Sequence, residues 1–150
     1  MVKFLVLNGP NMNLLGKRDV ARLGSDTLDS INAELGEYAK QAGLTLEFFQ
    51  SNHEGVLIDK LHEAREGFAG VIFNPGGFGQ YSIALKEAIA ALPVPCLEVH
   101  MANIFTNPAN DIPKISPACT GMVTGLGKYS YLVSIKALEL LVQNGAAKKA

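Results

Sequence analysis

The apolar run Lys3-Phe4-Leu5-Val6-Leu7 breaks at once into Asn8-Gly9-Pro10-Asn11-Met12-Asn13-Leu14-Leu15-Gly16. No other junction restricts the fold as much. A short unbroken apolar run is a strand covered on both faces, and the Asn-, Gly- and Pro-rich break is a loop leaving its carboxyl end. The unit recurs. Leu44–Gln50 precedes the polar turn Ser51-Asn52-His53-Glu54-Gly55, and Ala69–Phe73 precedes Asn74-Pro75-Gly76-Gly77-Phe78-Gly79-Gln80-Tyr81-Ser82. Pro95–His100 and Gly121–Leu126 complete the set. Between these runs the apolar residues take helical spacing. One helix runs from a cap at Asp26 or Thr27 to about Ala42 and stops at Gly43; another covers Val56–Glu66, with Ser51 or Asn52 as its cap. The remaining two run from Ser82 to about Ala91 and from Tyr129 to Gln143.

Strand and helix alternating in this way predict an α/β chain: a flavodoxin-like, doubly wound, five-stranded parallel sheet in three layers. At 150 residues it is expected to be one domain spanning 1–150. A hydrophobic share of 48% against 18% charged residues fits a globular core, and the net charge of −1 with no basic cluster argues against nucleic acid as a partner. No apolar stretch approaches the ~18 residues of a membrane span, and no secretory leader is apparent, so the expectation is a cytoplasmic protein. Cys96 and Cys119 read as isolated buried thiols, and no Cys/His spacing suggests a metal.

In an open α/β sheet, ligands sit beyond the carboxyl ends of the strands. Asn11 and Asn74 both follow such ends. An Asn-Gly-Pro turn alone is ordinary backbone chemistry, but a second Asn followed by Gly76, Gly77 and Gly79 lets backbone N–H groups approach a ligand. Glu98 and His100 are two residues apart on one strand, so they share a side, and a carboxylate there can orient and charge the imidazole. Lys17–Ser25 reads either as a lid or as a solvated connection. Met101–Pro117 is long enough to be functional or to meet a partner. His53 and His62 read as structural or surface histidines, and Tyr129 and Tyr131 as packing or interface residues. Neither G-x-G-x-x-G nor G-x-x-x-x-G-K-[ST] occurs, so dinucleotide and P-loop chemistry lack support.

Taken in order, Leu7-Asn8-Gly9-Pro10-Asn11, Leu14-Leu15-Gly16, Phe49-Gln50-Ser51-Asn52-His53-Glu54-Gly55, Asn74-Pro75-Gly76-Gly77, Glu98-Val99-His100, Ser116-Pro117 and Gly125-Leu126-Gly127 resemble the type II 3-dehydroquinate dehydratases over nearly the whole chain. The resemblance implies loss of water from 3-dehydroquinate through an enolate, without cofactor or metal, in a homo-oligomer, a dodecamer built as four trimers. It also implies roles. Asn11 matches the asparagine at the enolate, Arg18 the lid arginine, and Asn74 the residue that binds a substrate hydroxyl. His100 matches the general acid, and Glu98 its orienting carboxylate. Met101 and Ala102 stand where backbone N–H groups grip the substrate carboxylate. Glu87 matches an acid that reaches a neighbouring subunit's site.

Several positions depart from that pattern. Leu23 stands in place of the lid tyrosine that serves as base, and Val20 in place of a lid proline. Gln80 replaces a substrate-binding histidine, and Ala102 a serine. The segment from Asn107 to Lys114 contains no arginine, leaving Lys114 as its one cation. A phenol needs a nearby cation to act as a base at neutral pH, and a lysine is a point charge rather than a bidentate fork. Ordinary dehydratase turnover is therefore not implied by these residues. The alternative is a family member that binds or converts another small hydroxylated carboxylate.

Overall fold

A computed structural model describes residues 1–106 and 113–145. Part of the expected long loop, 107–112, and the C-terminal 146–150, expected to fray, lie outside the described residues. Five parallel strands form one sheet: β1 (Lys3–Asn8), β2 (Thr45–Gln50), β3 (Gly70–Asn74), β4 (Cys96–His100) and β5 (Gly121–Thr124), in the order β2-β1-β3-β4-β5. The helices are α1 (Val20–Leu23), α2 (Leu28–Ala42), α3 (Glu54–Glu63), α4 (Ile83–Ala90) and α5 (Tyr129–Gln143). The expected flavodoxin-like α/β architecture is the observed one.

Strand alternation sorts the core into two layers. Leu5, Leu7, Val71, Phe73 and Cys96 pack with Leu57, Leu61, Leu85 and Ile89 of α3 and α4. Phe4, Val6, Ile72, Leu97 and Val99 face Ile31, Leu35, Ile135 and Leu138 of α2 and α5. With helices on both faces, the central strands read as continuous apolar runs, because neither side reaches water.

Caps explain most of the boundaries. Thr27 closes a reciprocal capping box with Ser30, at 3.1 Å and 3.0 Å, so of the two cap candidates it is Thr27 that starts α2. Gly43 ends that helix in the left-handed region, at φ 71°. α3 departs from expectation. It starts at Glu54 with His53 as N-cap, while the Ser51 hydroxyl accepts from His53 N at 3.0 Å. Asn52 is occupied elsewhere, as the site shows. β5 stops at Thr124, because Gly125 (φ 93°) turns the chain away. The expected lid segment carries the single helical turn of α1.

Candidate active site

The site lies at the switch point of the sheet, where β1 is flanked by β2 on one side and β3 on the other. Asn8 and Asn74 are in register at the ends of β1 and β3. The loops that follow are pressed together. Gly9 N donates to Asn74 O at 2.7 Å, and a Cβ on Gly9 would lie 2.5 Å from Pro75 O. Only glycine allows this approach. It sets the two asparagine loops side by side over one cleft of about 300 Å³.

Asn11 adopts a left-handed conformation (φ 69°), which asparagine tolerates better than most residues. Its amide N–H donates to Asn52 Oδ1 at 2.9 Å, and Gln50 Nε2 donates to the same oxygen at 3.1 Å. Asn52 is thus a positioning residue for the Asn11 loop. The sequence offered it as a helix cap, and only the folded chain brings it across.

Asn74 is buried, and both ends of its amide are held. Oδ1 accepts from Gly76 N at 3.2 Å. Nδ2 donates to the Tyr131 hydroxyl at 2.9 Å and faces Met12 Sδ at 3.4 Å. A thioether is a weak acceptor, so the N–H toward Met12 is the one a ligand oxygen can take. Tyr131 in turn donates to Asn8 Oδ1. Burial pushes its phenol well above the ordinary tyrosine range, against the opposing effect of the Asn74 hydrogen bond, and keeps it protonated. The reading of Tyr131 as a packing residue is incomplete: it is fully buried, and it also ties β1 to β3. Tyr129 is exposed.

On the other face of the sheet, Glu98 is fully buried behind His100. Glu98 Oε2 lies 2.5 Å from His100 Nε2, and Ser116 Oγ donates to Glu98 Oε1 at 2.5 Å. An ionised carboxylate only accepts, so Nε2 carries the proton toward it and Nδ1 is the ring nitrogen not taken by Glu98. Ser116 is a further residue whose place in the site needs the tertiary fold.

The cleft is lined by Asn11, Asn74, Gln80, His100, Met101 and Ala102, with Arg18 from the 17–25 loop. The carbonyls of Met101 and Ala102 are anchored by Gly127 N at 2.9 Å and Thr124 Oγ1 at 3.0 Å. The 17–25 loop is pinched at its base, since a Cβ on Gly16 would meet Ser25 O at 2.9 Å. Leu23 and Arg22 also line the cleft. Arg22 carries no signal in the sequence beyond its charge. Glu87 and Lys114 are exposed and lie outside the lining; Lys114 N donates to Gly79 O at 2.7 Å. Among the described residues no His/Cys/Asp/Glu group could hold a metal ion, and no helix is long and apolar enough to cross a membrane.

Residues 2–139 match the family model described as Dehydroquinase class II. A 3-dehydroquinate dehydratase of Bacillus pumilus is 47% identical over 148 residues, covering 98% of this chain and 99% of that protein. One from Bacillus cereus is 42% identical over 92% of this chain and 95% of its own length. Among solved structures, the type II dehydroquinase of Butyrivibrio crossotus superposes with a TM-score of 0.90 at 35% identity, over 92% of this chain and 97% of the other. A 3-dehydroquinate dehydratase-like protein of Bifidobacterium longum gives 0.71 at 29% identity, over 95% and 99%. With the family matched along nearly its whole length and the sheet order and strand-end site in place, this chain belongs to the class II dehydroquinases, the type II 3-dehydroquinate dehydratase family.

Proposed function

We propose that the cleft takes 3-dehydroquinate and eliminates water from it slowly. The observation that carries this reading is the Ser116–Glu98–His100 chain, which opens on the same cleft as Asn11 and Asn74. A proton leaves the carbon beside the ketone, and its electron pair moves onto the carbonyl oxygen as an enolate. Asn11, through a held water, stabilises that oxygen. As the enolate collapses, the carbon–oxygen bond to the hydroxyl breaks, and protonated His100 supplies the proton that makes the leaving group water. Asn74 positions a substrate hydroxyl through the N–H now facing Met12. Backbone at Met101 and Ala102 holds the carboxylate, with Gln80 beside it, and Lys114 and Glu87 act from the rim or across a subunit boundary.

The proton acceptor is water near Arg18. No tyrosine lines the cleft among the described residues: Leu23 takes the lid position, Tyr81 is exposed outside the lining, and Tyr131 is buried with its hydroxyl engaged. Lacking a side-chain base costs about 10²–10⁴ in rate. The test is absorbance of the conjugated enone product after adding 3-dehydroquinate. The parent is expected to show a slow rise that an Asn74→Ala, His100→Ala double variant lacks, and Leu23→Tyr is expected to quicken it at least tenfold. A flat trace for the parent, matching the double variant, rejects turnover; tight binding without turnover then favours a member that holds or converts another hydroxylated carboxylate.

We further infer the trimer-built dodecamer and a cytoplasmic location. The exposed apolar side chains Ile83, Phe105, Tyr129 and Leu140 support an assembly, and the buried thiols Cys96 and Cys119 suit a reducing compartment. Sedimentation equilibrium decides the first: a monomer mass at micromolar concentration rejects it.

A further inference from the structure

Two arginines, Arg18 and Arg22, line the cleft, and no aspartate or glutamate lines it among the described residues. Arg18 Nε is buried and has no hydrogen-bond partner among the described residues. A buried cationic donor left unmatched is costly unless a ligand acceptor meets it. Arg22 is held from one side only: its Nε pairs with Asp19 Oδ2 across one turn of α1 at 2.5 Å. That contact orients the guanidinium and leaves its Nη donors unused by Asp19. The cation on the 113–114 side, Lys114, lies outside the lining.

We propose that Arg22 is the cationic side chain that completes the carboxylate grip begun by the Met101 and Ala102 backbone. It grips the ligand's acid group from the lid, with Arg18 as the second donor, so that the lid and not the segment ending at Lys114 selects for a carboxylate. This deepens the reading above and rests on the cleft being a hydroxylated-acid site. Closure over the acid would desolvate Arg22, whose side chain is 56% exposed, and strengthen its hydrogen bonds. The pair with Asp19 is exposed and contributes little to folding, so Arg22 variants are expected to fold.

The experiment is calorimetric titration of 3-dehydroquinate and its neutral carboxamide into the parent, Arg22→Gln, Arg22→Lys and Lys114→Gln. Arg22→Gln should weaken acid binding about 10- to 100-fold, the loss expected for a charge-assisted hydrogen bond. Carboxamide binding should be the same in parent and Arg22→Gln, and Arg22→Lys should recover part of the acid affinity, since it keeps the charge and loses the fork. Unchanged acid binding in Arg22→Gln, or a loss found only in Lys114→Gln, overturns the assignment. Should 3-dehydroquinate fail to bind the parent, the dehydratase reading falls on its own. Arg22 is then judged with citrate as a general carboxylate probe: thermal stabilisation of the parent that disappears in Arg22→Gln upholds the assignment, and absent or equal stabilisation overturns it.

Discussion

The Tyr131 hydroxyl, on the last helix, accepts a hydrogen bond from Asn74 Nδ2 at the end of β3, 2.9 Å away and out of contact with water. The same hydroxyl donates to Asn8, so one phenol fixes the ends of the two strands that carry the asparagine loops. Replacing it with phenylalanine keeps the ring and leaves two buried amide groups without that partner. Tyr131→Phe should lower stability by about 1–3 kcal/mol in urea titrations. It should also weaken binding of 3-dehydroquinate, because the Asn74 amide is no longer held. A variant as stable as the parent would mean the network contributes little.

Glu98 and His100 act as a unit, so their losses should not add. His100→Ala and Glu98→Gln are each expected to cut the enone-forming rate about 10²–10³-fold. The double variant should be no slower than the worse single one. Ser116→Ala leaves one oxygen of a buried carboxylate unmatched, and should lower stability by about 1.5–3 kcal/mol. Multiplicative losses in the double variant would show that the carboxylate works apart from the imidazole.

The contact between the two loops can be probed by adding a single carbon. Gly9→Ala would force a Cβ to 2.5 Å from Pro75 O and 2.8 Å from Pro75 C, both backbone atoms that cannot swing away. Overpacking of this kind costs about 1–3 kcal/mol or more and should spoil ligand binding together with the fold. A Cβ on Gly77 meets nothing within 4 Å, so Gly77→Ala should melt within a degree or two of the parent. Equal melting temperatures for the two variants would contradict the close approach.

Tyr38 on α2 donates to Glu139 on α5 at 2.6 Å, and its phenol is pushed up to about 12, first by that hydrogen bond and then by burial. Below pH 10 the phenol is protonated in both the folded and the unfolded chain, and its contribution is complete. Between pH 10 and 12 the unfolded chain ionises first, so this stability is lost as pH rises. Tyr38→Phe should make the fall in stability across that window shallower by up to one proton. Denaturant midpoints measured from pH 9 to 12 test it; parallel curves for parent and variant count against the linkage.

The βα alternation was legible because burial on both faces leaves its mark on each strand separately: Val71-Ile72-Phe73 reads as a core strand without knowledge of its neighbours. Glu98 and His100 were legible for the same reason, since strand period alone sets them on one side. Thr27 and Gly43 announce the ends of α2 through local backbone chemistry. Asn52, Ser116 and Tyr131 were not legible as site residues, because each meets a partner at least 18 positions away. Before the chain folds, an asparagine in a polar turn looks like a cap, and a tyrosine on an amphipathic helix looks like packing.

Sequence alone therefore determined the layered α/β sheet and the strand ends that carry Asn11, Asn74 and His100. These are properties of single residues and short spacings, and local burial and backbone preference suffice to set them. Tertiary structure decided which of those groups share a cleft, which hydrogen-bond partners hold them, and that the 17–25 loop brings Arg22 to the same cleft. Such relationships depend on distances between segments remote in the chain, and a distance of that kind exists only once the sheet order is settled and the loops are pressed together.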